Sequence, residues 1–245
     1  MSNYFNLRSR WSSFFVLYGK IIVIVIVIVI VIVIVRRKKE LKLKKWAYPF
    51  ALVTLTVFLV IAFNFTTPRF VAFDERIASV LRGNEFIGLF HYIGETVFVV
   101  IVTVIVFFYL WVREQNYRAL FFVVLTMAGG TAINQGIKAF VARPRPEIAE
   151  QLTSYSFPSG HSQMGVLYLF MLAYLFSKVT TQHKKITVVW VAAAVLACFI
   201  GLSRIAESRH FATDVLAGWS LGYTWLIICV VWYELRERKF KRENS

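Results

Sequence analysis

The sequence predicts an all-α, polytopic membrane protein: a six-helix transmembrane core, a short interfacial helix and an extra N-terminal membrane segment. Three observations predict it. Of 245 residues, 58% are hydrophobic and only 17% are charged, whereas a soluble domain carries about a quarter charged residues. Apolar runs recur that approach the roughly 20 residues a helix needs to cross a bilayer. The net charge of +15 gathers largely in RRKKELKLKK (36–45) and LRERKFKRENS (235–245), both flanking apolar runs.

The first segment, 1–46, holds the tract IIVIVIVIVIVIVIV (21–35) and the first basic run. As a helix the tract would be roughly 22 Å long, short of a hydrocarbon core. It is read as an accessory membrane segment, with a sequence artefact as the competing reading. Spans are expected near 47–66, 93–112, 118–138, 162–177, 185–203 and 213–234, so that 47–235 forms one domain and 236–245 a basic tail. In the loop 67–92, Phe73, Ile77, Val80 and Leu81 recur at helical spacing with charges between them, the pattern of an interfacial helix. The prolines of RPRP (143–146) cannot continue a helix and predict an extended turn.

The basic runs orient the chain. Lysine and arginine favour the cytoplasmic side, which puts 36–45, 111–118, 177–185 and the tail inside and 67–92, 139–161 and 204–212 outside. Because these runs border apolar spans, lipid headgroups explain them and nucleic acid is not expected as a partner. Both cysteines, Cys198 and Cys229, fall inside expected spans, and no metal-ligand spacing of Cys and His occurs.

Three clusters carry chemistry, all on the predicted outer face: KAFVARPRP (138–146), PSGH (158–161) and SRIAESRHFATD (203–214). Lys138, Arg145 and Arg204 supply three cations, and arginine's planar fork suits phosphate. Ser159 can cap a helix, Gly160 lets backbone approach a ligand, and free N–H groups at a helix start favour an anion. His210 and Asp214, four apart, are expected on one helix face. A carboxylate on one imidazole nitrogen leaves the other free to attack, and His161 could protonate a leaving oxygen. No set of acids suits a divalent metal, and no cofactor is called for. Each cluster has an ordinary structural explanation taken alone: a polar loop histidine, snorkelling arginines, loop-breaking prolines. Their conjunction in a chain with only four histidines favours a site. His91 and His183 are read as interfacial and cytoplasmic loop residues.

K-x6-RP at Lys138–Pro146, PSGH at 158–161 and SR-x5-H-x3-D at Ser203–Asp214 resemble, in spacing and order, the three-part signature of the type 2 phosphatidic acid phosphatase family. The resemblance covers 138–214, and the six-helix layout extends it over most of 47–235. It implies metal-independent hydrolysis of a lipid phosphate or pyrophosphate through a phosphohistidine. His210 would be the nucleophile, Asp214 its partner and His161 the acid, while Lys138, Arg145, Ser159, Gly160 and Arg204 would hold phosphate oxygens. Bacterial members act on undecaprenyl pyrophosphate, phosphatidylglycerophosphate or phosphatidic acid, and counting cations ranks the pyrophosphate first. The expected location is the plasma membrane, with the site on the extracytoplasmic face. The polar stretch Glu207–Arg209 departs from the apolar residues many relatives carry, which weakens any transfer of substrate choice.

A transporter of an anionic substrate is the rival from another class. It would place ionisable groups near span centres, where this sequence has none. The GWSLG run carrying Gly218 and Gly222 permits close helix approach, Ala192, Ala193, Ala194 and Ala197 offer a second smooth face, and Asn134 and Gln135 are read as interhelical hydrogen-bonding residues.

Overall fold

A computed structural model describes residues 47–147 and 153–243. The Ile/Val tract and the first basic run lie outside the described residues. Among those described, helices alternate with turns and no strand occurs. Helix α1 spans Ala47–Asn64 and α2 spans Pro68–Leu81. The short α3, Glu85–Gly88, passes into a 3-10 turn, Leu89–Ile93, and then α4, Thr96–Val112. Helix α5 covers Tyr117–Val141 and is interrupted by a π-helical turn at Leu125–Gly129. Helices α6, Gly160–Val179, α7, His183–Ala206, and α8, Ala212–Glu243, complete the chain. Among the described residues, six helical segments are long and apolar enough to cross a membrane. The basic residues after 235 continue as the last turns of α8.

Helix α6 is the axis of the bundle. Of its most apolar stretch 78% is buried, against 17% for the peripheral α1. A helix apolar on all sides is stable only when enclosed, and here α4, α5, α7 and α8 supply the enclosure. Leu167, Tyr168 and Met171 of α6 are fully buried with Val102, Val106, Phe122, Ile200 and Leu226 from those neighbours. Outward faces stay apolar, as at Val53, Val100, Phe121, Val188 and Ile228, which suits lipid rather than water.

Hydrocarbon offers polar side chains no partner, so most of those inside the bundle bond to the protein, although Asn134 Oδ1 has no partner. Asn134 Nδ2 donates to Gln163 Oε1 (2.6 Å), and Gln163 Nε2 donates to the Gly130 carbonyl (2.8 Å) beside the π-helical turn. Asn134 is thus the interhelical residue expected, whereas Gln135 is exposed. Ala193 and Ala197 are buried, and Trp219 donates to the Ala197 carbonyl (3.0 Å), while Ala192 and Ala194 face outward.

Helix α2 follows the expected interfacial pattern with two exceptions. Ile77 and Leu81 pack against Ile205, Ala212 and Val215, but Phe73 and Val80 are exposed. The one fully buried side chain on α2 is a carboxylate, Asp74.

The glycine spacing in α8 sets its distance from α6. A Cβ at Gly218 would lie 2.6 Å from the Ser159 carbonyl oxygen and 2.9 Å from Ser162 Cβ. Gly218→Ala should therefore cost about 1–3 kcal/mol through overpacking, read as a lower thermal unfolding midpoint in detergent. Gly136→Ala, where a Cβ meets nothing within 4 Å, is the control. Equal midpoints for the two variants would dismiss the close approach.

Candidate functional site

Helix ends α5, α6, α7 and α8 meet at one end of the bundle, and each of the three sequence clusters lies at one of these ends. Helix α5 stops because Ala142 turns left-handed (φ 50°), and the prolines after it keep the chain extended. That strand of loop is pinned: Ser156 Oγ donates to the Pro144 carbonyl (2.9 Å), and Ser156 N donates to the Arg143 carbonyl (2.9 Å). Lys138, one turn before the helix end, donates from Nζ to the carbonyls of Tyr155 (2.5 Å) and Ser156 (3.3 Å). Two of its three N–H bonds therefore brace the loop.

The PSGH turn is anchored by Phe157, fully buried between the rings of Phe58 and Phe65 at 5.9 and 5.4 Å. Ser159 is the N-cap of α6. Its Oγ accepts from Ser162 N (3.4 Å) and Ser162 Oγ (2.8 Å), and its own N–H reaches the Asp214 carbonyl (3.0 Å). The first-turn N–H groups of Gly160 and His161 have no carbonyl one turn earlier to accept them, and both residues are partly exposed. This is an anion-favouring helix start. The His161 ring lies against Gly94 on the facing turn. The charges that reach it come from Arg204, His210, His91 and Arg145.

His210 and Asp214 are together, but not as two residues of one helix face. Helix α8 begins at Ala212, so His210 lies just before it, held by its N–H on the Arg204 carbonyl (3.2 Å). Asp214 folds back over the helix start: Oδ2 accepts from Phe211 N (3.0 Å) and lies 3.5 Å from His210 Nδ1. This is the carboxylate half of a capping box, here aimed at an imidazole. On the other side of the ring, Arg145 Nη1 is 3.2 Å from His210 Nε2. Guanidinium can only donate, so Nε2 carries the lone pair and the Nδ1 proton faces Asp214. Burial pushes the His210 imidazole down to about 4, Lys138 and Arg145 act in the same direction, and Asp214 opposes them. At neutral pH His210 therefore presents an unprotonated Nε2.

Arg145 is held by Ser154, through Nε to the carbonyl (2.7 Å) and Nη2 to Oγ (3.0 Å), and by the Arg209 carbonyl (2.8 Å). Arg204 is buried, and its Nε has no hydrogen-bond partner. Its Nη1 pairs with Glu207 Oε2 (2.6 Å), and the other oxygen of Glu207 is bonded to His91 Nδ1. His91, expected as a plain interfacial residue, thus joins the rim of the site. His183 is exposed at the start of α7.

Two residues escaped the sequence reading. Arg143 is buried, donating from Nη1 to Asp214 Oδ1 (2.7 Å) and Thr213 Oγ1 (2.8 Å) and from Nη2 to Asp74 Oδ2 (2.9 Å). Nothing in RPRP separates it from a snorkelling arginine, and Asp74 looks like the polar side of an amphipathic helix. Only burial marks them. Among the described residues, no group of three His, Cys, Asp or Glu side chains is gathered to hold a metal.

The chain is similar to known proteins over most of its length. Residues 119–238 match the PAP2 superfamily. The chain is 29% identical over 197 residues to phosphatidylglycerophosphatase B of Bacillus subtilis, covering 76% of this chain and 95% of that protein. It is 37% identical over 95 residues to a PA-phosphatase related-family protein of Dictyostelium discoideum, covering 36% of this chain and 25% of that one. The crystal structure of a transmembrane PAP2 type phosphatidylglycerolphosphate phosphatase from Bacillus subtilis superposes with a TM-score of 0.68 at 26% identity, over 75% of this chain and 96% of that one.

Proposed function

Since this chain carries a PAP2 superfamily domain and is a multi-pass membrane lipid phosphatase, we propose that it hydrolyses a lipid phosphate monoester through a phosphohistidine on His210, with phosphatidylglycerophosphate the preferred substrate. The carrying observation is the placement of His210 between Asp214 and Arg145. Nε2 attacks phosphorus, the bond to the lipid oxygen breaks, and His161 gives that oxygen its proton. Water then attacks the phosphohistidine, with His161 taking its proton, and phosphate leaves. His161 stands among cationic groups, so the incoming phosphate supplies the negative charge that a protonated imidazole there needs. Arg145, Arg204 and the α6 N-terminus, with Gly160 and the Ser159 cap, hold the equatorial oxygens, and Lys138 braces the loop while offering its third N–H.

Glu207 bears on the headgroup. Counting Lys138, Arg145 and Arg204 favours a pyrophosphate, but the carboxylate on Arg204 cancels one of those charges where a second phosphate would sit. This supports the monoester first and undecaprenyl pyrophosphate second, and the name of the Bacillus subtilis relative points the same way. A tail remaining in the hydrocarbon positions the phosphorus at the interface.

Three measurements follow. Acid-quenched turnover of labelled substrate, run in excess chelator, should leave phosphate on His210 and on no other residue. Label on Ser159, or activity that returns only with added magnesium, sinks the reading. In matched micelles, kcat/KM for phosphatidylglycerophosphate should exceed that for undecaprenyl pyrophosphate, and Glu207→Gln should narrow the ratio about tenfold, as expected for removing one nearby charge. A preference for the pyrophosphate that Glu207→Gln leaves untouched would discard the role of Glu207. For sidedness, the proposal places the site outside the plasma membrane. In a background lacking Cys198 and Cys229, a cysteine at the exposed Glu147 should react with an impermeant thiol reagent on intact cells and one at the exposed Gln182 should not. The reverse pattern would turn the molecule over.

A further inference from the structure

Helix α2 is amphipathic and packs against the end of α7 and the start of α8, yet its single buried side chain is Asp74. Its C-terminal turn is tied down as well, by Gly83 N–H on the Ala206 carbonyl (2.9 Å) at the end of α7. Asp74 is saturated with hydrogen bonds. Oδ1 accepts from Thr213 N (2.7 Å), and Oδ2 accepts from Thr213 Oγ1 (2.8 Å) and Arg143 Nη2 (2.9 Å). Arg143 in turn bridges to Asp214 Oδ1 (2.7 Å) and is sandwiched between the rings of Phe65 and Phe211, 4.6 and 4.1 Å from their centroids. Both carboxylates and the guanidinium are buried.

Burying three charges is costly unless each is paired. A minimal solution needs only Arg143 and Asp214, which together are neutral. That pair would face His210 with little net charge, and Asp214 could do little to support a cationic or phosphorylated imidazole. Adding Asp74 changes the balance. The triad then carries one net negative charge, and Arg143 divides its fork between two acids instead of giving both arms to Asp214. Asp214 keeps Oδ2 free for the His210 side, because Oδ1 alone is bound to Arg143.

We infer that Asp74 and Arg143 are positioning residues for the His210 reaction, with Asp74, delivered by the interfacial helix α2, serving as the counter-charge that leaves Asp214 electrically available to His210. This rests on His210 being the group that attacks phosphorus. Neither residue touches the phosphate. They act through Asp214, and α2 becomes part of the catalytic apparatus rather than a membrane-surface support.

The inference predicts opposite effects from the two members of one ion pair. His210 faces Asp214, Arg145, Lys138 and His161, with Arg143 and Asp74 behind Asp214, and these others are unchanged in each variant. Asp74→Asn removes a negative charge, so the His210 imidazole loses its proton more easily. Arg143→Gln removes a positive charge, so it holds its proton more tightly. The acid limb of the kcat/KM profile should shift down in pH for Asp74→Asn and up for Arg143→Gln. It should return near the wild-type position in the double variant, which carries neither charge. Titration of the substrate is common to all four proteins and cancels in the comparison. For Asp74→Asn, kcat should fall about tenfold, the scale of one charge acting across the site, while KM changes less than about twofold.

A merely structural role would lower the folded fraction of both single variants and move neither limb in opposed directions. Limbs that do not move, or move together, overturn the inference, whatever happens to kcat. If a single variant does not fold, the comparison of the double variant with the other single variant still reads the sign. His210→Ala is measured alongside. If it turns over normally, the phosphohistidine reading itself has failed. If it is inert while Asp74→Asn matches wild type in kcat and limb, only the role of Asp74 is lost.

Discussion

The structure depends on keeping Asp214 charged with no surface exposed to water. A buried carboxylate is tolerated only when it is hydrogen-bonded and paired, and two other parts of the chain supply the partners. Phe211 N–H bonds one oxygen, which faces His210 Nδ1 at 3.5 Å, and Arg143, from just past the end of α5, bonds the other. Arg143 then requires its own partner, which arrives from α2. The start of α8, the left-handed end of α5 and the lie of α2 all follow from that one group.

The same arrangement explains how a site of charged residues coexists with a bundle that is apolar outside. The described cationic site residues lie in the last turns of helices or just beyond them, and the polar residues deeper in, such as Asn134 and Gln163, are bonded to each other. Helix α6, the most enclosed helix, brings its N-terminus to the centre of that end. Its N-cap Ser159 is joined there to the start of α8, through the Ser159 N–H on the Asp214 carbonyl.

Glu207 and His91 add a second electrostatic layer at the rim. A carboxylate resting on Arg204 offsets its charge and occupies Nη1, while Arg204 Nε stays without a partner. Arg204 is thus partly neutralised on the side of Glu207 and His91, whereas Arg145 and Lys138 are bonded to neutral groups.

Much of this was legible in the sequence because its causes are local. Spans follow from runs of apolar residues, the α6 start from Ser159 and Gly160, and the place of Lys138, Arg145 and Arg204 at helix ends from the motifs that hold them. Gly218 and Gly222 predicted close packing for the same reason, since the absence of a Cβ is itself the property used. Other features were decided only by tertiary contacts. His210 sits off the helix because Asp214 caps the backbone before it, a choice among hydrogen-bond partners that a four-residue spacing does not reveal. Asp74 and Arg143 are ordinary interfacial charges until two segments 69 residues apart are brought together. His91 was a loop histidine until α3 met the end of α7. Charge pairing acts through space and leaves no period in a sequence, whereas burial of apolar surface and helix capping act along the chain and do.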